Sequence, residues 1–475
     1  MSAFADYESH DGLGLADLVA KGEVTPGELL DAAIERIEAR NPALNAVVYT
    51  WYDEARAAIA AGLPEGPFRG VPFLLKDLYA YFAGQPISNG SRLFDAYVPD
   101  HDAELVARYK RAGLAIFGRS ASPEFGLTTT TESLLHGETH NPWNLAHTAG
   151  GSSGGAASAV AAGLLPVAHA SDGGGSIRIP ASCCGLFGMK PTRGRNPSGP
   201  DVGEGWSGMS TAHVVSRSVR DSAAMLDATA GPDLGAPYWA EPPARPWLAE
   251  VGANPGRLRI AYQTSAFNGS ETHPDCVAAV DDAAGLCAGL GHDVEAAELT
   301  VDAQAVGEAT LTVIGANVRA MVEDRAAELG REFTLDDIEL VTYGMVMRAA
   351  EAPASAYARS VRVLHAAGRR VARFLESYDV LLTPTLATPP LELGRLSLSR
   401  ADVDGYREDV MRTVGFTSLF NAAGNPAMSV PLAWNAAGLP VGSHFVGRYG
   451  DEATLYRLAA QLEEARPWKD RRPTF

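Results

Sequence analysis

The chain is organised around residues 150–192, GGSSGGAASAVAAGLLPVAHASDGGGSIRIPASCCGLFGMKPT. In this stretch two clusters of glycine and serine flank one predicted helix and one predicted strand. The clusters lie at 150–155 and 173–176. A flexible spacer would continue into polar or proline-rich sequence, but the first cluster leads directly into 156–165, an alanine-rich run of high helix propensity. We therefore predict a tight turn, a helix over 156–165 and a buried strand over 164–168.

The second cluster has the composition of a site that attacks a carbonyl group. Asp172 is followed by three glycines and then by Ser176. Glycines let the backbone approach a ligand closely and expose consecutive N–H groups. The N–H groups of 173–176 would then hold the oxygen of the carbonyl that the Ser176 hydroxyl attacks. The predicted oxyanion hole consists of Gly173, Gly174 and Gly175.

A lysine at the end of a predicted strand offers a base for that serine. Residues 70–75 form a short apolar run after turn residues, and Lys76 and Asp77 follow it. In isolation such a lysine reaches solvent or pairs with a neighbouring carboxylate. With the two glycine clusters downstream, we instead predict a desolvated Lys76, which loses its proton more easily and acts as a base near neutral pH.

These motifs together resemble the signature of the amidase signature family, serine hydrolases with a Ser, cis-Ser, Lys triad. The resemblance runs from residue 25 to residue 472. It implies that Ser176 is the nucleophile, that Ser152 relays its proton, and that neutral Lys76 accepts it. It also implies a cis peptide bond between Gly151 and Ser152. Ser152 would then protonate the leaving amine before water releases the acid.

The resemblance also implies an architecture. Short apolar strands with intervening helices indicate an α/β protein, and the family adds a central, mostly parallel mixed sheet covered by helices on both faces. We expect one domain over 1–475, with the core motif at 70–220 and a variable helical region at 301–376 that sets substrate preference. Thr25 is predicted to cap the first clear helix, since Glu28 completes a capping box, and Pro42 to end it.

Several side chains outside the triad are expected to support the glycine loop or to line the substrate pocket. By the resemblance, Asp172 and Arg178 brace the loop without carrying protons. Residues 193–212, rich in glycine and proline, form either a surface loop or a rim of the cleft. The predicted pocket residues are Leu127, Thr128, Gly151, Trp206 and Met209.

Four stretches outside the signature resemble the branch of the family that acts on nylon oligomers: NPGRLR at 254–259, GHDV at 291–294, TLDDIE at 334–339 and PWKDRRP at 467–473. That branch has an asparagine where Leu127 stands, and a cysteine in the helix matching 313–319, which here has none. Both are pocket positions, so the resemblance does not establish the same substrate. An apolar pocket without a charged anchor favours a neutral, hydrophobic amide, anilide, ester or carbamate, and urethane cleavage is one hypothesis.

Three other functions are compatible with parts of the sequence. The run GSSGG at 151–155 satisfies the G-x-S-x-G elbow of an α/β-hydrolase, with Ser153 as nucleophile and His365 or His444 as its partner. That motif explains neither Lys76 nor the second glycine cluster. The glutaminase subunit of a tRNA-dependent amidotransferase shares the signature, and ammonia release from glutamine only with partner subunits would identify it. A non-catalytic scaffold protein would have no need of an intact triad.

The composition excludes several classes of partner. The net charge of −18 repels nucleic acid phosphates and anionic lipid, and no basic patch offsets it. The N-terminal segment has no secretory signal, and no window approaches about 18 apolar residues, so we predict no membrane span. We expect a cytoplasmic enzyme that acts on a small-molecule amide or carbamate, and a homodimer is a further hypothesis.

Neither a cofactor nor a metal site is predicted. Sequence motifs of zinc and P-loop sites are absent, and His136, His140 and His147 lie in a loop where histidines mostly form hydrogen bonds. His169 lies inside a predicted strand and is expected to be a core residue whose ring nitrogens are hydrogen-bonded. Four cysteines, two of them adjacent, do not make a disulfide framework, so we predict reduced and mostly buried thiols.

Overall fold

The computed structural model describes residue 4 and residues 6–474, in which helices and strands alternate along most of the chain. The helices are α1 Gly12–Lys21, α2 Pro26–Leu44, α3 Tyr52–Ala61, α4 Glu104–Arg111, α5 Gly154–Ala161, α6 Arg178–Cys184, α7 Val219–Thr229, α8 Pro274–Gly289, α9 Ala303–Glu328, α10 Leu340–Ala350, α11 Ala354–Ser377, α12 Val403–Thr413, α13 Leu419–Ala423 and α14 Glu452–Ala465. The strands are β1 Val47–Thr50, β2 Pro72–Lys76, β3 Ala115–Ser120, β4 Glu132–Ser133, β5 Gly137–Glu138, β6 His140–Asn141, β7 Asn144–Thr148, β8 Val167–Asp172, β9 Phe187–Lys190, β10 Thr211–Ser216, β11 Arg259–Tyr262, β12 Asp293–Ala296, β13 Val380–Pro384, β14 Ala427–Trp434 and β15 Pro440–Gly447.

Eight of these strands form the central sheet, in the order β12-β11-β13-β15-β14-β9-β10-β8. Strand β11 pairs in parallel with β12 and with β13, whereas the other five pairings are antiparallel. The mixed α/β sheet is confirmed, but antiparallel pairs predominate where the resemblance implies mostly parallel ones. One reason is local, because β14 and β15 are joined by the short turn 435–439 and so tight a connection allows only antiparallel neighbours.

A smaller three-stranded sheet, β1-β3-β2, carries the predicted base. Strand β2 pairs in parallel with β3, so that Lys76 lies opposite Ser120, and all of β2 is buried. The backbone N–H of Lys76 donates to Nδ1 of His169 in β8, 3.1 Å away. This bond sets the end of β2 beside the strand from which the glycine loop begins.

Helices cover both faces of the central sheet, as the resemblance implies. In β13, Val380 and Leu382 pack in a cluster with residues of α7, α8 and α14, whereas Leu381 packs in a cluster with residues of α9, α11 and α13. Successive side chains of a strand point to opposite faces. Helices α9 and α11 of the predicted variable region therefore lie on one face, and α8 and α14 lie on the other.

The first long helix begins where the sequence predicts and ends later. The Thr25 hydroxyl accepts from the N–H of Glu28, and the Glu28 carboxylate accepts from the N–H of Thr25, which completes the capping box. The predicted end at Pro42 is wrong, since α2 continues past this proline to its last residue, 44. Asn45, in the left-handed conformation, ends the helix instead.

Gly155, near the start of α5, has no room for a side chain. An ideal Cβ at this position would lie 2.3 Å from the Ala121 nitrogen and 2.7 Å from the Ala46 carbonyl oxygen. We expect Gly155→Ala to lower the free energy of unfolding by about 1–3 kcal/mol, measured by urea denaturation, because backbone atoms must move. The matched control is Gly285→Ala in α8, where a Cβ meets nothing within 4 Å and alanine should be neutral or stabilising. Equal stability of the two variants would contradict this prediction.

All four cysteines are buried free thiols, as predicted. Burial raises the pKa of Cys183, Cys276 and Cys287 to about 12, and that of Cys184 well above its usual value. These thiols are therefore protonated packing groups at neutral pH. Across the described part of the chain, no helix has both the length and the apolar character that crossing a bilayer requires.

Candidate active site

A buried amine lies where β2 and β8 meet. Lys76 is fully buried, and its Nζ atom is 2.7 Å from Ser152 Oγ and 3.0 Å from Ser171 Oγ. Burial lowers the pKa of Lys76 to about 7, and the charge of Asp172 only partly opposes this effect. A substantial fraction of the amine is therefore neutral at physiological pH, in a position to accept a proton from a hydroxyl.

Ser152 lies in the turn that precedes α5. The peptide bond between Gly151 and Ser152 is cis, the geometry that the resemblance implies, and Ser152 is buried. An ideal Cβ on Gly126 would lie 3.0 Å from Ser152 Oγ, so the segment that contains Gly126 forms the wall beside this hydroxyl. An ideal Cβ on Gly151 would lie 2.2 Å from the Thr130 carbonyl oxygen, so Gly151 packs against backbone.

The glycine loop 173–176 follows β8 directly, and the half-buried Ser176 stands at its end. Within the described chain, no hydrogen bond holds the Ser176 hydroxyl. The N–H of Gly175 donates to Asp172 Oδ1, 2.7 Å away, so the prediction of Gly175 as an oxyanion donor is wrong. The loop N–H groups that donate to no described residue are those of Gly173, Gly174 and Ser176.

A buried ion pair braces the loop from behind. Arg178 Nε lies 2.9 Å from Asp172 Oδ2, and Arg178 Nη2 lies 2.9 Å from Asp172 Oδ1. Burial alone would raise the pKa of Asp172, but the Arg178 guanidinium holds it well below its usual range. Asp172 also accepts from the N–H of Ile177 at 3.1 Å. Because this carboxylate binds the backbone on both sides of Ser176, the pair fixes the path of the loop.

Three residues that sequence reasoning missed complete this framework. Asn421 in α13 donates through Nδ2 to Asp172 Oδ1, 2.8 Å away. Thr417 Oγ1 donates to the Gly174 carbonyl, 2.7 Å away. Ser171 supplies the second hydroxyl beside the buried lysine amine. Only Ser171 has a sequence signal, because it directly precedes Asp172, the residue before the loop. The other two belong to a distant segment without a motif.

The predicted pocket residues divide into two groups. Leu127 is half-buried in a cluster with residues of α9 and α10, and Trp206 is half-buried beside the glycine loop. Thr128 Oγ1 donates to the Leu396 carbonyl at 2.9 Å, and Met209 is 2 % exposed within an apolar cluster. Thr128 and Met209, like Gly151, are therefore packed against protein, and their assignment to the pocket stays a prediction. Leu127 and Trp206 remain candidates.

The α/β-hydrolase interpretation fails at Ser153. Its hydroxyl is buried, donates to the Ser171 carbonyl at 3.2 Å and accepts from the Ser171 N–H at 3.3 Å. His365 is exposed on α11. His444 lies 3.0 Å from Arg178 Nη1, and burial lowers its pKa well below the usual value. Neither histidine serves Ser153 as a base.

Two of the three loop histidines form hydrogen bonds with protein groups, whereas Nδ1 of His147 is buried without a hydrogen-bond partner in the described chain. His136 Nε2 is 2.9 Å from Ser88 Oγ, and His140 Nδ1 is 2.7 Å from the Leu145 carbonyl oxygen. In the described ranges, no group of three or more His, Cys, Asp or Glu side chains is arranged to hold a metal ion. His169 is a core residue, as predicted, and burial lowers its pKa to about 3. Its Nδ1 accepts from the Lys76 N–H, but its buried Nε2 has no hydrogen-bond partner in the described chain, so the prediction of a fully hydrogen-bonded side chain is wrong.

Known proteins resemble this chain along almost its whole length. The sequence model of the family described as Amidase matches residues 28–456. The chain is 39% identical to a 6-aminohexanoate-cyclic-dimer hydrolase of Pseudomonas sp. (strain NK87), over 98% of this chain and 96% of that protein. A solved structure of 6-aminohexanoate cyclic dimer hydrolase gives a TM-score of 0.92 at 37% identity, covering 99% of both chains. A bacterial aryl acylamidase of the amidase signature family gives a TM-score of 0.87 at 26% identity, covering 98% of this chain and 99% of the other.

Proposed function

The chain belongs to the amidase signature family, as an amide hydrolase similar to nylon-oligomer hydrolases, and from this premise we propose that it cleaves neutral, hydrophobic amides through an acyl-enzyme on Ser176. The observation that carries the proposal is the buried Lys76 amine, 2.7 Å from Ser152 Oγ and with its pKa lowered to about 7. Such a base withdraws a proton from a hydroxyl near neutral pH. The proposed triad is Lys76, Ser152 and Ser176.

In the acylation half, Ser176 Oγ attacks the amide carbonyl carbon. Its proton passes to Ser152 Oγ while the Ser152 proton passes to Lys76 Nζ. The Ser176 hydroxyl must first turn toward Ser152, and catalytic hydrogen bonds often form only when substrate is bound. The N–H groups of Gly173, Gly174 and Ser176 stabilise the negative charge on the carbonyl oxygen. These three groups are available because they donate to no described residue.

Collapse of the tetrahedral intermediate breaks the C–N bond. Ser152 returns the proton to the leaving nitrogen, is itself reprotonated by Lys76, and the amine departs. Water then attacks the ester on Ser176, with the same relay taking its proton. The products are the carboxylic acid and a restored Ser176 hydroxyl, so no step needs a cofactor.

The walls of the site favour apolar substrates. Leu127 packs among aromatic and aliphatic side chains of the core and of α9 and α10. Since apolar walls stabilise the apolar parts of a ligand, anilides and nylon-type amides are the proposed substrates. Carbamates present the same carbonyl and nitrogen to the nucleophile and form the second proposed class.

We also propose a homodimer, which light scattering of the purified protein would test.

The experiment uses the purified chain alone with an aryl anilide, a small aliphatic amide, a cyclic amide dimer, an aryl carbamate and glutamine. We expect hydrolysis of the anilide and the carbamate. With an O-aryl carbamate the C–O bond to the aryl group breaks in place of the C–N bond, the aryl alcohol departs with the proton that Ser152 returns, and the carbamoyl group stays on the nucleophile. This carbamoyl-enzyme hydrolyses more slowly than an acyl ester, so it should accumulate. Fragmentation mass spectrometry should locate this group on Ser176.

The position of the carbamoyl group separates the candidate nucleophiles. A group on Ser153 would favour the α/β-hydrolase interpretation, and a group on Ser152 would exchange the roles of the two triad serines. Activity on glutamine alone, and only with added partner subunits, would favour the amidotransferase subunit. Each of these results would contradict the proposed function.

A further inference from the structure

A tight hairpin, residues 205–210, holds Trp206 against the glycine loop, and we refer to it as the Trp206 hairpin. It is closed by bonds from Ser210 N to the Gly205 carbonyl at 3.1 Å and from Met209 N to the Trp206 carbonyl at 3.2 Å. An ideal Cβ on Gly173 would lie 2.5 Å from Trp206 Cζ3 and 2.7 Å from Cε3. The indole therefore lies directly against the first glycine of the loop that holds the oxyanion.

The backbone of this hairpin adopts a costly conformation. Trp206 has φ +52° and Ser207 has φ +53°, in the left-handed region that residues with side chains rarely occupy. Such residues persist only where the surroundings fix them, and they concentrate at functional sites. The strained backbone at these two positions therefore favours a functional role for the position of the indole over a stabilising one.

Three side chains from outside the hairpin fix it by hydrogen bonds. These are Tyr357 at 2.6 Å from Ser207 Oγ, Arg193 at 2.6 Å from the Gly208 carbonyl, and Asn421 at 3.1 Å from the Met209 carbonyl. The same Asn421 amide binds Asp172, so one side chain sets the hairpin and the glycine loop relative to each other. Despite these contacts, the Trp206 indole is only half-buried.

We infer that Trp206 is a specificity-determining residue, whose indole stacks on a planar group attached to the scissile carbonyl or its nitrogen. The inference rests on the proposed function, and it names the substrate class of the same site as aryl amides and aryl carbamates. An aromatic ring stacked on an indole gains free energy beyond the burial of its area, which a short alkyl chain does not. The rigid hairpin presents this surface without an ordering cost.

The test compares Trp206→Leu with Trp206→Phe on two amides that share one acyl group, an anilide and an N-alkyl amide. Leucine keeps an apolar side chain but removes the flat surface. We expect kcat/KM for the anilide to fall roughly tenfold, mainly through KM, with little change for the alkyl amide. Phenylalanine should restore most of the loss. The matched control is Trp239→Leu, at a tryptophan that is 59% exposed on another loop, and both activities should be unchanged.

Equal losses on the two substrates would overturn the inference, because a merely structural role does not distinguish aryl from alkyl. If the wild type hydrolyses no amide or carbamate, the proposed function fails by itself. Calorimetry with acetanilide then tests the inference separately. We expect Trp206→Leu to raise the Kd for acetanilide roughly tenfold relative to wild type, and an unchanged Kd would overturn the role of Trp206.

Discussion

Lys76→Met is expected to reduce kcat/KM on the order of 10³- to 10⁴-fold while the protein remains folded. Methionine keeps the apolar stem of the side chain but cannot accept a proton from Ser152 Oγ, which lies 2.7 Å from the Lys76 amine. Loss of the lysine charge should not unfold the protein, because burial already disfavours the ammonium form of Lys76. Thermal melting should shift by less than about 3 °C. Activity and melting are measured on the same preparation.

Lys190 provides a matched control for this substitution. It is also buried, ends strand β9 as Lys76 ends β2, and burial likewise lowers its pKa to about 7. Its Nζ donates to the Pro191 carbonyl at 2.9 Å and contacts none of the triad hydroxyls among the described residues. Lys190→Met should therefore keep wild-type activity. Equal losses in the two variants would remove the reason for assigning Lys76 as the base.

The pH dependence has a defined sign. Lys76 must be neutral to act, so kcat/KM should rise as the pH increases through about 7 and then level off. Lys190→Met should keep this inflection, and the residual activity of Lys76→Met should lack it. Stability follows the same direction, because the folded pKa of about 7 lies below the ordinary 10.5. The unfolded chain therefore binds more protons between these values, and the free energy of unfolding rises with pH there.

Arg178→Leu is expected to lower the free energy of unfolding by about 3–5 kcal/mol, because it leaves the fully buried Asp172 carboxylate without its partner. Asn421 Oδ1 and His444 Nε2 lose the same donor, at 2.6 Å and 3.0 Å. The glycine loop loses its brace at the same time, so turnover should fall even below the unfolding temperature. Urea denaturation and activity together measure both effects.

Two further variants decide whether the charges act as a pair. Arg407→Leu removes an exposed contact with Asp404 and should leave the denaturation midpoint unchanged. Asp172→Asn combined with Arg178→Leu should cost less than the sum of the two single substitutions, because no unpaired charge remains. Strictly additive losses would show that the two side chains stabilise the loop independently.

Much of the site could be predicted because short motifs determine local geometry. An apolar strand that ends in lysine buries the amine of Lys76, and a glycine cluster before an alanine-rich helix makes the turn that holds Ser152. The direction of each N–H in the glycine loop was beyond such reasoning. Gly175 is an example, because its N–H is turned by the Asp172 side chain rather than by the glycine pattern.

Contacts between distant segments account for most of what the sequence did not predict. Asn421 and Thr417 reach the loop from a helix and turn more than 240 positions downstream, and nothing in their own neighbourhood marks them. The pairing of the central strands likewise depends on how the chain returns to the sheet. Pro42 shows the converse case, in which a strong local signal to end a helix is overridden by the packing of α2.

The hydrogen bond between Ser207 and Tyr357 joins the Trp206 hairpin to α11 across 150 positions of sequence. Recombination between relatives would separate its two partners wherever the crossover falls between them. A chimera that imports α9–α11 alone would keep Ser207 but take the side chain at position 357 from the other parent. Where that side chain is not tyrosine, the hydrogen bond is lost, and the position of the hairpin against the glycine loop changes. Libraries aimed at new substrates should therefore let 205–210 and α11 be inherited as one block.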